Sequence, residues 1–168
     1  KIGQILLDQR RYTEASQIYR SATEIASTNV EAYYNLGLAY DYQENMADLA
    51  LDAYKRVAEL DPEYHQAYYQ MGQIYEDKNN FEEAEKAYLT IVQRGSKVPQ
   101  VYQALAQLYG KNQEQLNQAV SYAQKAIELS PESASCYNTL ALIYFRLGDY
   151  LQAESAIKKA LSFSPESS

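Results

Sequence analysis

Ala32-Tyr33-Tyr34-Asn35-Leu36-Gly37-Leu38-Ala39-Tyr40 is the stretch that decides the fold, because its tyrosines recur. Tyr33 returns as Tyr68, Tyr102 and Tyr137, and Tyr40 returns as Tyr75, Tyr109 and Tyr144, each in steps of 35, 34 and 35 residues. Ala15, Ala50, Ala84, Ala119 and Ala153 keep the same beat. A fixed period of this length marks a stack of like supersecondary units rather than one closed core. Eighteen tyrosines in 168 residues are too few to fill eight such positions by accident.

Working outward from that stretch, the units read Val30–Tyr64, His65–Val98, Pro99–Ser133 and Ala134–Ser167, with a partial unit at Lys1–Asn29. Each holds two bursts of apolar residues at spacings of three and four, for example Tyr33, Leu36, Gly37, Tyr40 and then Ala50, Ala53, Tyr54, Val57. That spacing predicts two amphipathic helices per unit. Polar breakers separate the bursts: Gln43-Glu44-Asn45, Asn79-Asn80, Lys111-Asn112-Gln113 and Gly148-Asp149. They predict short turns between antiparallel helices. Asp61-Pro62, Ser130-Pro131 and Ser164-Pro165 follow the second bursts. Proline lacks the N–H needed to continue a helix and is placed to open the next one. The one-residue slips in the period fall between Tyr40 and Ala50 and between Tyr109 and Ala119, so the extra residue belongs to the turn inside the unit.

The quoted stretch, together with Leu147-Gly148-Asp149-Tyr150-Leu151-Gln152-Ala153 and the closing Glu59-Leu60-Asp61-Pro62, resembles the tetratricopeptide repeat over essentially the whole chain. The resemblance implies an all-α fold, a right-handed α-α superhelix (solenoid) of stacked antiparallel helix pairs. Ala106 and Ala141 stand where the family usually has Gly, and Val57 and Ile91 where it usually has Ala; slightly wider seams are expected after the latter two. Ser96 replaces an expected Pro, with Pro99 three residues on, which leaves the end of that unit's second helix open. Thirteen tyrosines fall on repeat positions and are expected in the core. Lys1 falls partway into a first helix, and no polar capping helix follows the last unit, so the chain reads as a fragment of a longer array.

In the family the inner wall of the curve, built from the first helices, binds peptides. Carried over by position, that wall holds Glu31, Tyr34, Asn35, Leu38 and Asp41, then Gln66, Tyr69, Gln70, Gln73, Glu76 and Asp77. It continues with Gln100, Gln103 and Gln107, then Ser135, Asn138, Thr139 and Leu142. Its density of amides stands out, because a primary amide both donates and accepts and can pair with any peptide backbone. The expected site is therefore Tyr34, Asn35, Gln66, Tyr69, Gln70, Gln73, Gln100, Gln103, Gln107 and Asn138, clasping a neutral or mildly basic segment of a protein partner. Alanine at Tyr34, Asn35, Tyr69 and Gln70 together is expected to abolish capture and leave helicity intact. Plain soluble helix surface is the bland alternative for these amides. The family's chaperone-tail clamp is not expected, since Tyr34, Gln66 and Gln70 stand where its cationic side chains would be.

The remaining chemistry points away from catalysis. His65, the only histidine, opens a unit and reads as a surface residue; Cys136, the only cysteine, reads as a small buried hydrophobe. Neither a metal cluster nor a phosphate-cradling glycine loop is present, so no cofactor is expected. A net charge of -7 without a basic stripe disfavours nucleic acid. A mean hydropathy of -0.52 and the lack of a long apolar run argue against membrane insertion. With no leader visible and one unpaired cysteine, a reducing, cytoplasmic setting is expected. The expected function is non-catalytic scaffolding. Two rivals are self-association through exposed terminal units and service as the substrate-selecting arm of a larger enzyme. For the latter, arrays fused to sugar transferases show an asparagine ladder, which here reads Asn35, Gln70, Ala104, Thr139 and is broken.

Overall fold

Side-chain caps start some of the helices. Asn29 caps the helix Val30–Asp41 with its side-chain oxygen on the Ala32 N–H at 3.0 Å, and Ser133 does the same for Cys136 at the start of the helix Ala134–Leu147. The turns that reverse the chain pass through left-handed residues at Arg10, Asn45, Asn79, Gly95 and Gly148. A computed structural model describes residues 1–163 of the chain. Its helices are α1 (Ile2–Asp8), α2 (Tyr12–Ile25), α3 (Val30–Asp41), α4 (Ala47–Leu60), α5 (His65–Asp77), α6 (Phe81–Gln93), α7 (Pro99–Gly110), α8 (Leu116–Leu129), α9 (Ala134–Leu147) and α10 (Tyr150–Phe163). A short 3-10 turn at Gln113–Gln115 precedes α8, and no strand occurs among the described residues. The fold is an all-α helical-repeat solenoid.

The long and short turns fall where the period slips. Five residues join α3 to α4 and α7 to α8, against three between α5 and α6 and two between α9 and α10. The extra residues sit in loops, and the helix faces keep register. The open end of α6 is settled by Gly95, whose φ of +74° lets the chain turn. The Gly95 and Ser96 N–H groups donate to Val92 and Ile91 carbonyls at 2.9 and 3.3 Å, so a glycine C-cap does what proline does elsewhere. Pro62 and Pro131 stop α4 and α8 but do not open the next helices, which begin three residues later. Among the described residues only Pro99 occupies a first helical turn. Ser164-Pro165 lies outside the described residues.

Helix contacts form two compact units, Lys1–Ala87 and Tyr88–Ser168. In the first, α1 to α5 pack in sequence order, each on its predecessor. Its core gathers Leu36, Tyr40, Ala50, Leu51, Ala53, Tyr54, Val57, Ala67 and Ile74. Alanine between the helices lets the backbones approach, and tyrosine fills the room above. Gly3 and Gly37 carry this furthest: Tyr19 and Tyr54 rings lie directly on them.

In the second unit α7, α8, α9 and α10 pack in order, and α7 also touches α9. Val101, Leu105, Leu116, Ala119, Ala126, Cys136 and Ile143 are buried there. The same seam contact recurs in both units: Arg20 Nη2 donates to Tyr40 Oη at 2.5 Å, and Gln124 Nε2 to Tyr144 Oη at 3.5 Å.

The repeat tyrosines are not uniformly core. Tyr40, Tyr54, Tyr88 and Tyr109 are buried and most others half-buried, but Tyr150 is 63% exposed. It opens α10, where no preceding helical turn covers it, and leans edge-on against Phe145 at 5.6 Å. His65 also departs from a plain surface position. Its side chain is 28% exposed, and Nε2 is buried 3.8 Å from Glu63 Oε2 without a hydrogen bond. Cys136 is buried as expected.

Candidate functional site

On α3, residues 34, 37, 38 and 41 share one face by helical spacing. Tyr34 therefore stands one turn before Gly37, and Asp41 one turn after it. Its ring is tilted against Tyr54 at 5.7 Å and Tyr64 at 5.0 Å, and burial pushes its hydroxyl pKa up, helped by Tyr64, Tyr42 and Asp41. Tyr34 thus packs on the core of the first unit. Replacing it with alanine in a four-residue variant would disturb that core, contrary to the expectation that helicity stays intact.

The amides divide into three groups. Asn35 is half-buried, and its Nδ2 donates to the Glu31 carbonyl of its own helix at 2.8 Å. Gln66 and Gln73 on α5 are exposed; Tyr69 and Gln70 beside them are half-buried. Burial raises the Tyr69 hydroxyl pKa, with Glu76 adding to it.

In the second unit Gln100, Gln107 and Asn138 are exposed, whereas Gln103 is half-buried and engaged. Gln103 Nε2 reaches Ser135 Oγ at 2.6 Å, Ser135 O at 3.3 Å and Thr139 Oγ1 at 3.1 Å. Its carbonyl oxygen faces Cys136 Sγ at 3.9 Å. Gln107 Nε2 adds a longer bond to Thr139 Oγ1 at 3.4 Å. Gln103 therefore fastens α7 to α9 rather than offering its donor outward. Arg146 does likewise, donating from Nη1 to the Gly110 carbonyl at 2.6 Å, a cation on a helix C-terminus.

Residues absent from the sequence-based site also belong to this face. A hollow of about 270 Å³ opens between α1 and α3, lined by Gln4, Leu7, Asp8, Tyr12, Leu38 and Tyr42 among others. Tyr12 and Tyr42 stack at 4.9 Å, and Tyr42 is 61% exposed. Tyr42 lies outside the two aromatic columns of the period, but it stands one period before Asp77 of the carried-over wall, and that register was the signal available.

Under this face lies Tyr54. It is fully buried, its ring rests on Gly37, and its hydroxyl has no hydrogen-bond partner of good geometry. Burial drives that hydroxyl's pKa far up, Asp41 and Tyr34 reinforce the rise, and the nearby Gln70 amide opposes it. Asp41 is open to solvent along one edge, yet desolvation raises its pKa, with Asp77 of α5 adding to the rise. No group of three metal-ligating side chains occurs among the described residues. None of their helices is long and apolar enough to cross a membrane.

The paired helices, their 34- to 35-residue beat and the small-on-aromatic packing agree with sequence comparison. A TPR repeat profile matches residues 3–43, and tetratricopeptide repeat profiles match 41–108, 99–133 and 122–155. The chain belongs to the tetratricopeptide repeat family. Among solved structures it is similar to MamA, with a TM-score of 0.87 and 22% identity over 97% of this chain and 94% of that one. It is also similar to YrrB, described as a TPR protein with an unusual peptide-binding site, with a TM-score of 0.79 and 18% identity over 98% and 84% of the two chains. Both are likenesses of fold. Among curated proteins it is 28% identical to human Protein O-mannosyl-transferase TMTC1 over 159 residues, 95% of this chain. The chain spans only 17% of that relative's length. As a tetratricopeptide repeat array, it is a protein–protein interaction module.

Proposed function

We propose that this array is a non-catalytic scaffold whose first-helix face in the unit Lys1–Ala87 holds an extended peptide segment of a partner. The observation that carries the reading is the α5 amide row. Gln66 and Gln73 are exposed on one face with half-buried Tyr69 and Gln70 between them. Amides supply donors and acceptors for a backbone of any sequence, and the tyrosines supply apolar area with a polar tip. Gln100, Gln107 and Asn138 offer the same chemistry in the second unit. Asp41, Glu76 and Asp77 favour a neutral to basic segment and disfavour a polyanion such as nucleic acid.

The test begins with peptides selected from a random twelve-residue display library on the immobilised protein. A Gln66→Ala/Gln73→Ala variant is expected to bind a selected peptide at least tenfold more weakly with unchanged circular dichroism. Equal affinity would overturn the reading.

A second reading rests on the likeness to the human O-mannosyl-transferase. There the array would be the part of a longer transferase that chooses the acceptor protein. The full coding frame decides it: a transferase segment joined to the repeats supports this reading, and a frame of repeats alone overturns it. Self-association has its own support in exposed apolar side chains such as Ile25 on α2 and Leu151 and Leu161 on α10. Light scattering tests it, since a mass independent of concentration rules it out.

A further inference from the structure

We propose that the hollow between α1 and α3 seats one aromatic side chain of the bound segment, a tryptophan or tyrosine that donates its N–H or O–H to Asp8. The proposal rests on the peptide-binding reading above and names the anchor that this face selects.

Register explains why the hollow exists. Tyr42 is followed, unit by unit, by Asp77, Lys111 and Arg146. In the second unit Arg146 lies across to α7, donates to the Gly110 carbonyl at 2.6 Å and ties two helix ends together. Leu7 stands in α1 where Gly110 stands in α7, and its carbonyl accepts the Arg10 N–H of its own turn at 2.9 Å. Tyr42 has no cationic fork to make the crossing. It stacks on Tyr12 of α2 at 4.9 Å instead, and the ends of α1 and α3 keep about 270 Å³ between them.

Size and lining choose the occupant. The volume falls just short of the roughly 300 Å³ at which pockets for free small molecules begin, so it suits one large side chain. Leu7 and Leu38 line it, both half-buried and packed against the buried core of the unit. With the two tyrosine rings beside them they form an apolar seat, the kind of pocket that holds an interface anchor.

Charge narrows the choice further. Asp8 and Arg10 both line the hollow. A basic side chain entering it meets Arg10 and an acidic one meets Asp8, so a neutral occupant is favoured. Gln4 Nε2 donates to Asp8 Oδ1 at 3.0 Å and fixes the carboxylate, which has capacity for a further donor. An aromatic ring with a polar tip uses all of this. Its ring packs offset or edge-on against Tyr42, which is 61% exposed, its tip reaches Asp8, and the Arg10 guanidinium suits its face. Phenylalanine lacks the donor, and leucine lacks the ring.

The test uses the same twelve-residue display library on the whole chain and on the single variants Tyr42→Ala and Asp8→Ala. Both positions are exposed, and circular dichroism checks the fold. Tryptophan or tyrosine is expected to be enriched at one aligned position on the wild-type protein and to fall to library background on Tyr42→Ala. Changing that residue to alanine should weaken a selected peptide at least tenfold on wild type and less than twofold on Tyr42→Ala. The chain contains no tryptophan, so an indole in the peptide is the only one in the complex. At saturating protein its emission should move to the blue on wild type and stay in place on Tyr42→Ala. On Asp8→Ala phenylalanine should serve as well as tryptophan or tyrosine; if it already does so on wild type, the Asp8 bond is overturned. Peptides selected without an aromatic preference would overturn the subsite while leaving the peptide-binding face in place. An aromatic preference that survives in Tyr42→Ala would overturn its placement here. Failure to select any peptide would overturn the face and the subsite together.

Discussion

Gly37 and Tyr54 are packed so that a Cβ on the glycine would fall 2.5 Å from the tyrosine ring. That separation is far inside van der Waals contact, so the glycine is required by its neighbour rather than by its own backbone. At the corresponding pairs in the second unit, alanine at 106 and 141 goes with smaller side chains, Ala123 and Ile157. Gly37→Ala is expected to destabilise the first unit by about 1–3 kcal/mol, the usual cost of overpacking. In a Tyr54→Ala background the sign reverses, because the clash is gone and alanine is the better helix former by about 1 kcal/mol. Urea denaturation of the four proteins in a double-mutant cycle measures the coupling. Additive effects would show that the contact is not shared.

Removing only the Tyr54 hydroxyl tests a different property of the same ring. Tyr54→Phe keeps the packing on Gly37 and deletes a buried oxygen with no hydrogen-bond partner. The variant is expected to be more stable by about 1 kcal/mol, since the folded state no longer strips water from an unpaired group. A loss of stability would mean the hydroxyl is satisfied in solution.

Asp41 makes stability depend on pH in a defined direction. Burial first and Asp77 second raise its pKa in the folded chain. Below the ordinary aspartate range both states are protonated there, and the group is neutral to stability. As pH rises through the window between the ordinary and the raised value, the folded state holds the extra proton, so stability falls with pH until both states are ionised. Asp41→Asn removes that term. Its urea midpoint relative to wild type should therefore grow from about pH 4 toward neutrality and then level off. A difference that is flat across this range would contradict the assignment.

The fold was legible because repetition is a property of spacing, and the spacing of Tyr33, Tyr40 and Ala50 survives in every full unit. The turns were legible because Asn45, Asn79 and Gly148 tolerate the left-handed backbone that the reversals need. The site was less so. Glutamines 66 and 103 look alike in a sequence, yet one faces solvent and the other bridges α7 and α9. The difference comes from Ser135 and Thr139, two hydroxyl residues 32 and 36 positions away. Tyr54 was counted as core, and it is. What spacing could not show is that its ring rests directly on Gly37 and leaves its hydroxyl buried.

Gln103 offers the clearest separation of a structural amide from a binding one. Its Nε2 closes three contacts across the α7–α9 seam, to Ser135 O, Ser135 Oγ and Thr139 Oγ1. Gln103→Ala should cost about 1–2 kcal/mol, because the Thr139 and Ser135 groups at that seam lose a donor. Gln100→Ala, one turn earlier and exposed, should change stability by less than about 0.5 kcal/mol. Local opening of the second unit is the sensitive readout, since repeat arrays lose stability unit by unit. Hydrogen exchange is expected to rise across α7 and α9 in Gln103→Ala and stay at wild-type levels in α1 to α4. Equal protection in the two glutamine variants would return Gln103 to the solvent-facing set.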